Sequence, residues 1–417
     1  MVRRGILVRA TVIVAAAFVA AACSTGSPTA TPPVAGGPTA TPLATHSPAP
    51  STSSPTSASS SPAPTDSATP LPTDPGVGVD PSGVAPADTV PITRLAPGDV
   101  PPQFVVVSFD GACRPSRFQH YLDLGAATGS RFTFFLSGLC LVPDAQRRLY
   151  HPPHRAVGTS DVGFAKASLV PQRIALMTTA WNDGYEIGTH WLGHFCDAPS
   201  VGTWTTADWK SELDQARFFL DHWAEINHSR DSSLTLPFSS ASWKGDRTPC
   251  LLGIKSQMYP VFAKAGFTYD ASGAGSLVWP RRTQGYPMWA FPLQRIKVVG
   301  YGRSNLSMDY NLLFVQNGGN PKAPPATCAR IEESTYQSLM QALQAVETHN
   351  RAPFMVGNHF NDWACNSYTK ALTRFVTDAH ADYPDVRFVT FDYLARWMSA
   401  QSPAVLTKLQ SRPAPSY

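Results

Sequence analysis

Gly184-Tyr185-Glu186-Ile187-Gly188-Thr189-His190-Trp191-Leu192-Gly193-His194-Phe195 is the stretch on which the reading turns. Tyr185 to Thr189 reads as a short strand between glycines, and it hands over at once to two histidines four residues apart. On one face of a helical turn, that spacing lets both ring nitrogens converge on a single ion. Neutral imidazole is the commonest side-chain metal ligand. Trp191, not glutamate, follows the first histidine, which excludes the H-E-x-x-H metalloprotease signature. The spacing alone is a weak signal, because two unrelated structural histidines produce it as well. Its weight comes from the rest of the chain.

Outward from this stretch the pattern alternates. Phe104 to Phe109 is an apolar, β-branched run that reads as a buried strand ending at Asp110. Arg131 to Leu136 reads as a second strand, and Phe354 to Gly357 and Val386 to Thr390 as two late ones. Pro171 to Trp181 has the start proline and apolar spacing of a helix, closed by Asn182-Asp183-Gly184. Ala207 to Ile226 is a longer helix with Leu213, Ala216, Phe219, Leu220 and Trp223 as its apolar stripe. Ser256 to Ala265, Glu332 to Glu347 and Tyr368 to Ala381 are further helices, and Phe267 to Tyr269 a short strand. Alternating strands and helices imply an α/β fold with a parallel sheet, whose functional side chains gather at the C-terminal strand ends.

Several strand ends carry chemistry. The first finishes Ser108-Phe109-Asp110-Gly111, and the late one Gly357-Asn358-His359. Arg247 stands in Gly245-Asp246-Arg247-Thr248-Pro249, and Asp309 in Ser307-Met308-Asp309-Tyr310. Taken singly, each has a plain structural reading: a helix cap, a surface ion pair, a satisfied histidine or a turn.

The N-terminus reads as an address. Arg3, Arg4 and Arg9 precede an apolar run from Ala10 to Ala22 that is too short to span a bilayer comfortably. Cys23 after Ala20-Ala21-Ala22 resembles a bacterial lipoprotein cleavage box. That reading makes residues 1–23 a signal peptide and Cys23 a lipid anchor on the outer face of the cell membrane, with plain secretion as the alternative. Residues 24–89 are rich in Pro, Ser, Thr and Ala and cannot bury enough apolar surface to offset the entropy of ordering, so they read as a disordered, extended linker. The folded part is placed at 90–403, with 404–417 as a tail. A net charge of +4 with no basic run excludes nucleic acid as an expected partner. Six cysteines follow Cys23, an even number that in an exported chain suggests disulfides; none shows C-x-x-C spacing.

Taken together, these stretches resemble the polysaccharide deacetylase (NodB-homology) family, carbohydrate esterase family four. The resemblance covers about Pro102 to Met398. The family's T-F-D-D-G strand end stands here as Ser108-Phe109-Asp110-Gly111-Ala112, and its A-T-F-F segment as Phe132-Thr133-Phe134-Phe135. Its H-[ST]-x-x-H motif stands as His190 to His194, its R-x-P as Arg247-Thr248-Pro249, and its strand-end histidine as His359. The resemblance implies a deformed (β/α) barrel. It also implies a divalent metal, zinc by expectation, held by His190, His194 and a carboxylate.

Asp110 is then the catalytic base, Arg247 its orienting cation, His359 the acid toward the leaving amine, and Asp309 the partner of His359. The implied substrate is an N-acetylated surface or wall polysaccharide of the peptidoglycan or poly-N-acetylglucosamine type. The sequence departs from the family at two points. Gly111 replaces the aspartate that ligates the metal, so either Asp110 also binds it, or a nearby carboxylate such as Asp197 or Asp161 completes the site, or the metal is weak or absent. Trp191 replaces a serine or threonine, where it is expected to narrow the site or offer a sugar-stacking face. The rival reading is a carbohydrate-binding lipoprotein that retains the fold without turnover.

Overall fold

The computed structural model describes residues 90–417; the leader, Cys23 and the linker lie outside the described residues. Five parallel strands open the fold in chain order: β1 (Gln103–Asp110), β2 (Thr133–Leu136), β3 (Glu186–Thr189), β4 (Gly245–Asp246) and β5 (Tyr269–Asp270). Short strands follow: β6 (Ala274–Gly275), β7 (Arg281–Arg282), β8 (Trp289–Ala290), β9 (Leu293–Val298) and β10 (Arg303–Leu306). The last two are β11 (Phe354–His359) and β12 (Val386–Phe388). The main sheet runs β11-β1-β2-β3-β4-β5-β8-β7, with β12 against the start of β1. β7 is its one antiparallel member. β11 and β7 do not pair, so the curled sheet stays open, a deformed barrel rather than a closed one. A separate three-stranded sheet, β10-β9-β6, fills in beside it.

Helices cover the outside: α1 (Pro115–Thr128), α2 (Val170–Asn182), α3 (Thr206–Asp221), α4 (Trp223–Ile226) and α5 (Lys255–Lys264). Then come α6 (Asp309–Asn317), α7 (Pro325–Thr348), α8 (Trp363–Asp382), α9 (Phe391–Ala400) and α10 (Pro403–Gln410). Every residue of β1 is buried, as a central parallel strand covered on both faces requires. Its two faces feed two cores. Val105, Val107 and Phe109 meet the α1 side, and Phe104 and Val106 meet α9. The expected long helix breaks at His222 into α3 and α4. Residues 404–417 are not a loose tail: α10 buries Val405 and Leu409, and Asn350 Nδ2 donates to the Pro413 carbonyl at 2.9 Å.

The six cysteines form three disulfides, Cys113–Cys140, Cys196–Cys250 and Cys328–Cys365. The first joins the loops after β1 and β2, and the second the loops after β3 and β4. The third ties the start of α7 to the turn that follows β11. All three therefore lie at the sheet edge where the strands deliver their last residues.

Candidate active site

Strand register sets the frame of the site. Asp110 pairs with His359 across β1 and β11, and with Phe135 across β1 and β2. Thr189 pairs with Asp246, so His190 and Arg247, one residue on from each, leave neighbouring strands side by side. Backbone bonds hold the handover. His190 N donates to Leu136 O at 2.8 Å, and Arg247 N donates to Thr189 O at 3.1 Å.

Asp110 and Arg247 form a buried ion pair. Arg247 Nη1 donates to Asp110 Oδ1 at 2.8 Å and to Ser108 Oγ at 2.8 Å, and Nε donates to Ala271 O at 3.1 Å. The guanidinium lies over the Phe135 ring at 4.9 Å and is fully buried. Burial alone would raise the Asp110 carboxyl, but Arg247, His190 and His359 outweigh it and hold the group below the usual carboxylate range. Asp110 thus stays ionised while nearly inaccessible.

On the adjacent strand, His359 and Asp309 form a dyad. Asp309, the first residue of α6, accepts His359 Nδ1–H on Oδ1 at 2.7 Å and the His359 backbone N–H on Oδ2 at 2.9 Å. The carboxylate fixes the tautomer and leaves Nε2 as the atom that can carry or deliver a proton. Burial works against protonation of His359, yet Asp309 raises its pKa above the ordinary histidine value.

The two motif histidines converge by a route different from the expected one. Residues 190–195 are not helical; Trp191 and His194 take left-handed φ angles of 60° and 59° in a tight loop. That loop brings the two imidazoles to a ring separation of 5.0 Å. His190 Nδ1 donates to the Arg247 carbonyl at 2.8 Å, so Nε2 carries the lone pair, and Nε2 is buried without a hydrogen-bond partner. Burial, then the proximity of His190 and His359, holds His194 neutral, with its pKa lowered to about 3. Cys196 Sγ lies 3.6 Å from the Nδ1 side of His194.

Two neutral imidazoles, one with an orphaned buried nitrogen, are donors suited to a divalent cation. The expected third donor is not brought to them. Among the described residues, His194, Cys196 and Cys250 are the one group of three such side chains whose donor atoms lie within 4.8 Å of one another. Cys196 and Cys250 are joined in a disulfide and offer no thiolate. Asp110 does not complete a three-donor cluster with the histidine pair, and its Oδ1 accepts from Arg247 Nη1. Asp161 and Asp197 do not complete one either. Asp161 N donates to Gly193 O, and the Asp197 carbonyl accepts Arg155. Gly111 has a left-handed φ of 61°, a turn conformation that aspartate tolerates better than most residues.

Trp191 is not a sugar platform. It is fully buried, its Nε1 donates to Asp246 Oδ2 at 2.9 Å, and its ring stacks on Phe262 at 5.1 Å. Three polar residues of the site escaped the sequence reading. Glu212, on α3, accepts the Tyr150 hydroxyl at 3.0 Å and the Gly193 N–H at 3.3 Å, inside the histidine loop. Asp246 receives Trp191, and Asn361 donates to Asp309. Glu212 sits within the apolar spacing of α3 and Asp246 beside the more conspicuous Arg247; nothing local in the sequence singles them out.

The open, largely parallel α/β sheet thus presents an ionised carboxylate, a carboxylate-backed histidine and a histidine pair at its C-terminal edge. No family model matches the chain, and no curated protein matches it. Among solved structures the chain is similar to a protein from Mycobacterium smegmatis assigned as a polysaccharide deacetylase. The identity is 15%, with 78% of this chain and 99% of that chain covered, at a TM-score of 0.43. It is also similar to a family 4 carbohydrate esterase from Streptomyces lividans solved with acetate (13% identity, 68% and 91% covered, TM-score 0.34). A family 4 pseudoenzyme from Bacillus anthracis is similar too (10% identity, 72% and 70% covered, TM-score 0.36).

Proposed function

We propose that the chain is a metal-dependent hydrolase that removes N-acetyl groups from a cell-surface or cell-wall polysaccharide. One observation carries this reading: an ionised carboxylate, Asp110, and a carboxylate-backed histidine, His359, end adjacent strands in register, with a neutral histidine pair beside them. Amide hydrolysis needs that division of labour. Asp110 accepts the proton of the attacking water. Arg247 keeps Asp110 ionised and aimed. His359 gives its proton to the departing sugar nitrogen, while Asp309 stabilises the imidazolium form that donates it. A divalent cation, when bound by His190 and His194, supplies Lewis acidity toward the acyl oxygen and the water. The products are acetate and a free amino sugar.

The test is acetate release from N-acetylglucosamine oligomers and peptidoglycan fragments, with zinc added after chelation. Asp110→Asn and His359→Ala should each lower the rate at least about 100-fold, the range that general acid–base groups contribute. Gly111 favours a second reading, a carbohydrate-binding protein without turnover. Binding of the same oligomers, unaltered in both variants and with no acetate from the wild type, would establish it. The export reading belongs to the same proposal: a Cys23 lipid anchor would hold the domain at the membrane while the linker lets it reach a wall polymer. The mass of the mature N-terminus in native membranes tests it.

A further inference from the structure

The acid dyad does not stand alone. Asp309 is almost wholly buried and receives four hydrogen bonds. Besides the two from His359, its own helix contributes the Tyr310 N–H to Oδ1 at 2.7 Å. The fourth is the Asn361 side-chain amide, whose Nδ2 donates to Oδ2 at 2.7 Å. This last donor comes from neither the strand of His359 nor the helix of Asp309. Asn361 is itself buried and used at both ends: its Oδ1 accepts the Trp363 backbone N–H at 3.0 Å. Asn361 therefore couples the carboxylate to the turn that starts α8.

That turn is held from outside. Arg114, just before α1, and Arg117 of α1 both bind Asp362, and Ala364 N donates to Pro321 O at 2.7 Å. Cys365 is bonded to Cys328. Ala364, Cys365 and Asn366 take three successive left-handed φ angles of 47°, 59° and 64°, a conformation that non-glycine residues keep only where surroundings impose it. A turn fixed this firmly offers an immobile amide, which a carboxylate whose own χ2 is soft can use as a stop.

We infer that Asn361 is a positioning residue for the acid: it locks the Asp309 carboxylate in the plane that serves His359 Nδ1, and so aims His359 Nε2 at the leaving nitrogen. The inference rests on the deacetylase reading for its catalytic meaning but not for its geometry. The other titratable and charged groups facing His359, namely Asp110, Arg247 and the neutral His190 and His194, make no hydrogen bond to Asp309.

Two variants separate positioning from turn structure. Asn361→Ser keeps a hydroxyl acceptor for the Trp363 N–H but is too short to donate to Asp309; Asn361→Ala loses both. The first readout, on metal-free protein, is the downfield proton resonance of the carboxylate-bound His359 Nδ1–H, assigned by its disappearance in His359→Gln. Loss or marked upfield movement of that resonance in both variants, with a thermal midpoint for Asn361→Ser above that of Asn361→Ala, is the expected result. An unmoved resonance in Asn361→Ser would overturn the inference. If the wild type releases acetate, kcat should fall about tenfold in Asn361→Ser with KM unchanged; a matched rise in KM with constant kcat would also overturn it. If the wild type releases none, the deacetylase reading fails while the resonance still decides the role of Asn361.

Discussion

At the scale of single residues, Gly111 weighs most. It places a hydrogen where the family resemblance calls for a metal-ligating carboxylate beside His190 and His194. Gly111→Asp should raise zinc affinity by at least tenfold in calorimetric titration. Its conformational cost is about 1–2 kcal/mol, because the position is left-handed. An unchanged affinity would mean that the histidine pair is not a metal site. Glu212 gives a second residue-scale outcome. Burial raises its pKa to about 7, against about 4.5 in an unfolded chain. The folded protein therefore holds an extra proton between those values, and stability falls as pH rises from about 4.5 to 7. Glu212→Gln cannot lose that proton. Its stability relative to wild type should climb by on the order of 3 kcal/mol across the same window, read from urea unfolding at several pH values.

At the scale of elements, the histidine loop shows what the sequence could and could not tell. Alternating apolar runs made β1, β2, β3 and β11 legible, because a strand buried on both faces has little choice of residue. The convergence of His190 and His194 was legible as well, but the helical route was not. It is excluded by long-range contacts: Glu212 from α3 draws in Gly193 N, and Asp246 holds the Trp191 indole. The two-residue strands β4 to β8 have too few positions to show a period, so only Tyr269 was anticipated among them. The expected third donor, Asp110, Asp161 or Asp197, forms no three-donor cluster with the histidines among the described residues. Gly193 belongs to this scale. A Cβ there would sit 2.5 Å from the Tyr150 hydroxyl and 2.3 Å from the Phe195 ring. Gly193→Ala should cost about 1–3 kcal/mol in thermal or urea unfolding and weaken zinc binding through His194.

At the scale of the whole molecule, the last 15 residues complete the domain. Deleting 403–417 uncovers the sites of Val405 and Leu409 and removes the partners of Arg281 and Asn350. Burying each such aliphatic side chain contributes about 1.5–3 kcal/mol, so a loss of about 3 kcal/mol or more is expected in equilibrium unfolding.

The covalent links at the strand ends carry a consequence for when the protein can work. Each couples segments that carry or flank Asp110, His194, Arg247 or His359, and each closes a loop long enough to favour folding by about 4 kcal/mol in the chain-entropy account. On the deacetylase reading, a polypeptide kept among cellular thiols would carry the same side chains without these three links, so acetate release is expected to fall under reducing conditions and to return on reoxidation. The oxidation state of the strand-end loops would then act as a clock on activity.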